Sequence, residues 1–160
     1  MTELKCDWLC YLLYNTEANT TYIGSTNNLE RRLNTHNRGA GAKYTKGKQW
    51  QIVLYITGFE SKISCLSFES GWKKVSKKRI NDRFIYDNII DNIELKYEKN
   101  SIHNRILDLL FFVRSTTYLN KKYKRNVDLK FDILLTPKLI INQFNLNMET
   151  LLWPFFIEIN

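Results

Sequence analysis

The chain has 160 residues, of which 44% are apolar, and a formal net charge of +8. These values exclude a disordered protein, and the apolar runs LDLLFFV and LLWPFFIEI are too short for the roughly 20 residues of a membrane helix. The basic excess indicates an anionic partner, with nucleic acid the first candidate and an anionic membrane surface the second.

The first half of the chain predicts a sheet that begins with a hairpin. Residues 8–14 (WLCYLLY) are an apolar and aromatic run typical of a strand, and NTEANT after them is typical of a turn. The run TYIGS predicts the second strand, which Gly24 is expected to end. After a basic loop, AKYTKGK, the run WQIVLYITG predicts the third strand.

Two helices are predicted between and after these strands. The first begins at a cap on Thr26 or Asn27 and runs to about Arg38, where RGAG ends it. The second is SKISCLSFESGWKKVSKK, with Ser61 as its cap. The order β-β-α-β-α predicts an α/β domain over residues 1–83, with a three-stranded antiparallel sheet flanked by helices.

The second half predicts a different organisation. Residues 84–132 are mostly helical in pattern, and SIHNRILDLLFFVRST is the clearest segment, with Ser101 as its cap. Apolar residues at 102, 106, 109, 110 and 113 form its core stripe. The tail favours no assignment, and residues 84–160 are expected to pack on the first domain as a mainly helical extension.

The cysteines and the N-terminus predict an intracellular protein. MTELKCDW carries acidic residues and no long apolar run, so no secretory signal is expected there. The three cysteines have no paired spacing, which is typical of a reducing compartment. That compartment would be the nucleus for a cellular protein, and the host cytoplasm or nucleus for a viral one. With two histidines in the chain, a four-ligand Cys/His zinc site is not expected.

Polar side chains share the apolar face of the first predicted helix. Leu29 and Leu33 must face the sheet, and Arg32 and His36 have the same helical spacing, so they point toward it as well. Arg31 lies about 100° around the helix and should be solvated. The alternative for such an arginine is a stem that covers apolar surface with its head in water.

The second predicted helix has one carboxylate in its apolar stripe, that of Glu69. The stripe consists of Cys65, Phe68, Glu69, Trp72 and Val75 or Ser76. A partly buried carboxylate needs a cation or strong donors. Two interpretations stay open, namely an ion pair with Arg32 and coordination of a hard metal such as Mg²⁺.

Two tyrosines on the hairpin complete a candidate site. Taken singly, Tyr11 and Tyr22 are ordinary strand aromatics. Together with an arginine, a histidine and a glutamate from neighbouring elements they supply what phosphodiester cleavage needs, namely a base for water, a cation near the phosphate and donors for the developing charge.

The order and spacing of these residues resemble the GIY-YIG nuclease superfamily. CYL at 10–12 is similar to its first motif and YIG at 22–24 to its second. The family pattern continues with an Arg before an apolar residue, a Glu on a later helix and often an Asn about three turns beyond. The matching residues are Tyr11, Tyr22, Arg32, Glu69 and Asn81, and His36 matches a histidine that many members carry.

The intervening segments are similar to small stand-alone members and to the catalytic subunit of the Slx structure-selective endonucleases. This resemblance covers residues 8–83 and continues more loosely to about residue 132. Ser25 stands where the excision-repair branch has a catalytic lysine. The chain lacks the Cys/His set of the RING-like domain in Slx subunits, so its C-terminal region is expected to contact a second copy or another protein partner.

The resemblance implies metal-dependent hydrolysis of one DNA strand to a 5′-phosphate and a 3′-hydroxyl. Glu69 holds a single Mg²⁺ or Mn²⁺. Tyr11, with its pKa lowered by the nearby cation, takes a proton from the attacking water. Tyr22 holds or polarises the phosphate and the water.

The same resemblance implies supporting roles for three further residues. Arg32 stabilises charge on the phosphoryl oxygens with its fixed fork of donors. His36 forms a hydrogen bond with the tyrosine or the phosphate. Asn81 positions Glu69 or the metal-bound water.

Two basic regions are expected to bind the substrate, although a charge run is often only a solvated face. They cover residues 31–50 and 73–83, and KKYKR at 121–125 is a third basic cluster. The candidate substrate-binding residues are Gly24, Arg31, Lys43, Lys46, Lys48, Lys73, Lys77 and Asn81.

The predicted function is that of a structure-selective endonuclease acting on branched DNA such as flaps, forks or four-way junctions. A sequence-specific or homing-type nuclease is one alternative, and a non-catalytic DNA-binding module is another. DNA is the expected partner, and no membrane association is expected.

Overall fold

The computed structural model describes residues 6–81, 102–114, 130–133 and 157–159. They form five strands, three α-helices and one short 3₁₀-helix. In chain order these are β1 (Leu9–Asn15), β2 (Thr20–Thr26), α1 (Leu29–Asn37), the 3₁₀-helix (Lys43–Thr45), β3 (Gln51–Thr57), α2 (Lys62–Asn81), α3 (Ile102–Arg114), β4 (Lys130–Ile133) and β5 (Ile157–Ile159).

The strands form one sheet in the order β2-β1-β3-β4-β5. The first three strands are antiparallel, which confirms the predicted α/β fold. Two short strands that the sequence did not predict widen this sheet, with β4 antiparallel to β3 and β5 parallel to β4. In the register of β1 and β2, Tyr11 lies opposite Gly24 and Cys10 opposite Ser25.

Helices cover both faces of strand β1, which lies between β2 and β3 and whose residues 10–13 are all fully buried. Tyr11 and Leu13 pack with Leu29 and Leu33 of α1 in one apolar cluster. Because side chains alternate along a strand, Cys10 and the opposite Ser25 point to the other face, where Ser25 contacts α2. The candidate site residues on β1, β2, α1 and α2 are therefore held by a packed core.

The helix predicted in the second half, α3, packs on α2. The Trp72 indole donates to the Arg105 carbonyl at 2.9 Å, and Ser76 donates to the Asp108 carboxylate at 2.5 Å. The ring centroids of Phe68 and Phe112 lie 4.9 Å apart. Helix α2, which carries Glu69, is thus held in place by its contacts with α3.

The core stripe of α3 contains residues that the apolar pattern did not include. Ile102, Ile106 and Leu109 are buried as predicted, whereas the predicted side chains at 110 and 113 lie outside the described residues. Asn104, Asp108 and Phe112 are buried too. Ser76 on α2 donates to the Asp108 carboxylate, which explains how that polar group is accommodated there.

Two local expectations on the first half were wrong. The N-cap of α1 is Asn28, whose side chain accepts from the Arg31 amide at 2.9 Å, while Thr26 accepts from the Asn28 amide. Gly24 does not end β2, since pairing with β1 continues to Thr26.

Other predictions on the elements have mixed outcomes. Ser61 accepts from the Ser64 amide at 3.2 Å, as a cap of α2 should. The cap at Ser101, the cluster KKYKR and the boundary near residue 83 lie outside the described residues, so the two-domain division stays a prediction. Within the described ranges, no helix is long and apolar enough to cross a membrane.

Candidate active site

One cleft of about 510 Å³ lies where β1, β2, α1 and α2 meet. Four of the five predicted catalytic residues line it, namely Tyr11, Tyr22, Arg32 and Glu69. The fifth, His36, is fully buried behind Tyr11. The other lining residues are Trp8, Gly24, Ser25, Thr26, Asn27, Arg31, Thr35, Lys62 and Leu66.

The Tyr11 ring packs across strand β2 at Gly24, the residue opposite Tyr11 in the sheet. A Cβ atom at position 24 would lie 2.4 Å from Tyr11 Oη and 2.5 Å from Cζ, far inside van der Waals contact. Only glycine leaves room for the ring in this place. Gly24 therefore orients the Tyr11 phenol, and we assign it no direct contact with substrate.

Arg32 reaches the Tyr11 phenol from α1. Its Nε donates to Tyr11 Oη at 3.3 Å, and this bond raises the pKa of Arg32 above its ordinary value. The same bond lowers the pKa of Tyr11, but burial outweighs it and raises that pKa to about 12. Without a bound cation, desolvation of the phenolate exceeds the attraction of one guanidinium, and the expected lowering of the Tyr11 pKa by a cation stays a prediction.

His36 contacts the tyrosine rather than the cleft. Its Nε2 lies 3.0 Å from Tyr11 Oη, and its Nδ1 lies 2.8 Å from Thr45 Oγ1. Burial, and then the charge of Arg32, lower the pKa of His36 to about 4, so the ring is neutral at physiological pH. Of the two predicted contacts of His36, phenol or phosphate, the described geometry has the phenol.

Tyr22 lies in an aromatic group beside the cleft. Its ring centroid is 6.4 Å from that of Tyr11 and 5.0 Å from that of His36. Tyr44 stacks on it with an interplanar angle of 22°. Lys48 is held against this group, with its Nζ 4.3 Å from the Tyr44 centroid. Lys48 therefore lies beside the site through a cation–π contact with the Tyr44 ring.

Glu69 enters the cleft from α2, with 17% of its side chain exposed. One carboxylate oxygen accepts from the Ser25 hydroxyl, and the other pairs with the Lys73 ammonium one turn later. Among the described residues, the ion pair of Glu69 is with Lys73 and not with Arg32, so the first of the two open interpretations, an Arg32–Glu69 ion pair, is wrong. The helix places Lys73 beside Glu69 directly, whereas Arg32 is directed to Tyr11.

The donor set at Glu69 fits a hard divalent cation better than a soft one. No group of three His, Cys, Asp or Glu side chains able to hold a metal exists in the described part of the chain. Burial raises the pKa of nearby Cys65 to about 12, so that side chain is a neutral thiol near neutral pH. One carboxylate, with water and substrate oxygens, is a ligand set that Mg²⁺ accepts.

The predicted substrate-binding lysines lie on two separate parts of the domain, the region of the 3₁₀-helix and helix α2. Lys43 and Lys46 are exposed in and after the 3₁₀-helix. On α2, Lys73 and Lys77 line a second groove of about 420 Å³ together with Lys74. Arg31 lines the catalytic cleft itself, as an exposed residue that donates to Asn27. Asn81 is the last residue of α2, and its side chain lies outside the described residues.

Sequence reasoning missed four features of this site. The sequence marks Ser25 only as a departure from a related branch, Thr45 as part of a basic loop, and Gly41 as part of the segment RGAG that ends the first helix. The Glu69–Lys73 pair had a readable signal, since glutamate followed by lysine at i+4 pairs along a helix. The contacts of Ser25 and Thr45 depend on packing between elements and had no such signal.

Comparisons with known proteins place these residues in a family context. Residues 7–81 match the model of the GIY-YIG catalytic domain. The chain is 48% identical to the uncharacterized protein L300 of Acanthamoeba polyphaga mimivirus over 157 residues, 95% of each chain. It is 37% identical to the UPF0213 protein YsiG of Lactococcus lactis over 98 residues, 58% of this chain and 93% of YsiG.

A third relative is a named enzyme subunit. The chain is 40% identical over 85 residues to the structure-specific endonuclease subunit SLX1 of Phaeosphaeria nodorum. The match covers 50% of this chain and 23% of that subunit, so most of the subunit has no counterpart in the aligned part.

Proposed function

This chain belongs to the GIY-YIG nuclease superfamily, and we propose that it is an endonuclease that hydrolyses one strand of branched DNA, such as a flap, a fork or a four-way junction. The products would be a 5′-phosphate and a 3′-hydroxyl. The observation that carries the proposal is the convergence of two phenols, one guanidinium and one carboxylate on a single cleft.

The side chains in the cleft divide the work of phosphodiester hydrolysis. Tyr11 Oη accepts a proton from the attacking water, and Tyr22 orients the phosphate at the partly exposed side of the cleft. Arg32 has further guanidinium N–H groups beyond the Nε that bonds Tyr11, and these bind the phosphoryl oxygens. Glu69 would hold Mg²⁺ or Mn²⁺, which when bound supplies positive charge for the phosphate and for a phenolate or hydroxide.

Because the pKa of Tyr11 is raised, its phenol needs a further positive charge nearby in order to lose its proton near neutral pH. At about 12, the phenol is almost wholly protonated near neutral pH, and Arg32 alone does not change that. A cation at Glu69 would lower this pKa, because Tyr11 and Glu69 line the same cleft. We therefore propose that activity depends on a divalent metal.

Preference for branched DNA is proposed from the named relatives and from charge. The SLX1 relatives are named as subunits of structure-specific endonucleases. Lysines of α2 line a groove that shares Glu69 with the cleft, so phosphates next to a scissile bond would be bound there. By analogy with those subunits, a second copy or another protein would contact the C-terminal region, and the three free thiols favour an intracellular location.

Strand cleavage of defined substrates tests the proposal. A labelled four-way junction, a flap and a plain duplex of matched sequence are incubated with the protein, with and without Mg²⁺. We expect the branched substrates to be cut only with metal, and Glu69→Gln and Tyr11→Phe to lower the rate at least about 100-fold. Glu60→Gln, an exposed carboxylate outside the cleft, is the control that should cut normally.

The outcomes separate the alternatives. Equal cutting of duplex and branched DNA at one sequence would favour a sequence-specific nuclease. Binding of DNA without cleavage in either metal would favour a non-catalytic module. Full activity of Glu69→Gln would overturn the assigned role of the carboxylate.

A further inference from the structure

A line of buried hydrogen bonds lies behind Tyr11. Both Thr45 and His36 are 0% exposed, and Thr45 Oγ1 lies between His36 Nδ1 at 2.8 Å and the Ala42 carbonyl oxygen at 2.7 Å. A carbonyl oxygen can only accept, so the single hydroxyl proton of Thr45 points to Ala42. The hydroxyl can then only accept from His36, which places the imidazole proton on Nδ1.

The proton on Nδ1 fixes the direction of the next bond. A neutral imidazole has one N–H, so Nε2 carries a lone pair, and the Tyr11 hydroxyl 3.0 Å away must donate to it. Arg32 Nε donates to the same phenol oxygen at 3.3 Å. The phenolic proton thus points into the core, and one oxygen lone pair is left for the cleft.

We propose that Thr45 is a positioning residue, which holds His36 as the Nδ1–H tautomer and so turns the proton of Tyr11 away from the cleft. The tautomer follows from this chain alone, whereas its value for catalysis rests on the proposed nuclease function. With the proton directed inward, the hydroxyl can pass it to His36 Nε2 while the phenol oxygen takes a proton from the attacking water. With the opposite tautomer, His36 and Arg32 would both donate to Tyr11, and the hydroxyl proton would face the water.

The surroundings of Thr45 keep this arrangement in place. The Trp50 indole donates to the Thr45 carbonyl at 3.0 Å. Gly41 passes so close that a Cβ atom there would lie 2.4 Å from His36 Nδ1 and 2.9 Å from Thr45 Oγ1. A glycine at this point allows the loop to seal the imidazole from water, and the low pKa of His36 is the consequence of that burial.

Nitrogen NMR of the imidazole tests the tautomer without any cleavage reaction. The chain has two histidines, so His103→Gln leaves His36 as the sole imidazole signal. At pH 7 we expect a protonated Nδ1 and an unprotonated Nε2. Thr45→Val, which removes the hydroxyl at nearly constant volume, should move the proton at least partly to Nε2. Thr45→Ser, which keeps the hydroxyl, should restore the Nδ1–H signal.

Cleavage kinetics test the catalytic half of the proposal. Thr45→Val should lower kcat by about 10- to 100-fold, the range for one lost buried hydrogen bond, with KM for DNA unchanged. Thr45→Ser should stay within a few-fold of the parent, and Thr16→Val in the exposed hairpin turn should have no effect.

Three results would overturn the inference. An Nε2–H tautomer in the parent protein refutes it even if no variant folds. An unchanged tautomer in folded Thr45→Val shows that Thr45 does not set it. A changed tautomer with unchanged kcat shows that Thr45 has no role in catalysis. A parent protein that has the Nδ1–H tautomer but cleaves no DNA refutes only the proposed nuclease function.

Discussion

The free energy of unfolding should fall on mild acidification because His36 is buried and neutral. Its pKa is lowered to about 4 in the folded protein, while the unfolded chain keeps the ordinary value near 6.5. Below pH 6.5 the unfolded state therefore binds a proton that the folded state does not. The contribution of neutral His36 is complete above about pH 6.5 and is lost as the pH falls toward 4.

The size of this effect follows from the two pKa values. Between pH 7.5 and pH 5 the loss is about 2 kcal/mol, and it approaches about 3 kcal/mol near pH 4. Most carboxyl groups titrate below pH 5, so the interval from 7.5 to 5 isolates the histidine. This is a large fraction of the stability of a typical domain.

The loss of unfolding free energy is measured by urea unfolding followed by tryptophan fluorescence. All proteins compared carry His103→Gln, so that His36 is the only histidine that differs. The parent should lose about 2 kcal/mol from pH 7.5 to pH 5. His36→Gln, which keeps a polar side chain but does not titrate, should show a much flatter profile over the same interval. Parallel profiles for the two proteins would refute the reasoning, as would an imidazole NMR signal that titrates near pH 6.5 in the folded state.

Three further predictions concern the cleft and its lysines. Gly24→Ala should lower the cleavage rate at least about 100-fold with DNA binding retained, because the Tyr11 ring must leave its place; normal cleavage would contradict the assigned steric role. Lys73→Met should raise Mn²⁺ affinity about two- to fivefold in a titration followed by EPR, because the ammonium competes for Glu69. Lys74→Met, the same charge change without that contact, is the control, and an equal gain in both variants would argue against competition. Lys74→Met should instead reduce the salt dependence of duplex binding by about 0.9 in log–log slope, whereas an unchanged slope would mean that Lys74 serves solubility.

Helical spacing made much of the site predictable from the sequence. The positions of Arg32 and His36 in the stripe of Leu29 and Leu33 require them to point at the sheet, because helix geometry fixes which residues share a face. The same holds for Glu69 on α2. Side chains of this kind are found without knowing how the elements pack.

Contacts between different secondary-structure elements could not be predicted from helical spacing. The cap of α1 was misplaced because Thr26, Asn27 and Asn28 are all able to cap, and the chain path decides among them. Thr45 ends the short 3₁₀-helix, which is held by a hydrogen bond from the Trp50 indole to the Thr45 carbonyl. The raised pKa of Tyr11 also could not be predicted, since the sequence does not give the depth of burial.

The pairing of β3 with β4 has a practical consequence for work on shorter versions of this protein. Residues 54–57 of β3 bond to Lys130–Ile133, from far along the chain. A fragment ending near residue 83 would leave that side of β3 open, and bare strand edges recruit one another. Dimers or aggregates of such a fragment would therefore report an artificial edge-to-edge association, and could not be taken as the assembly of the 160-residue chain.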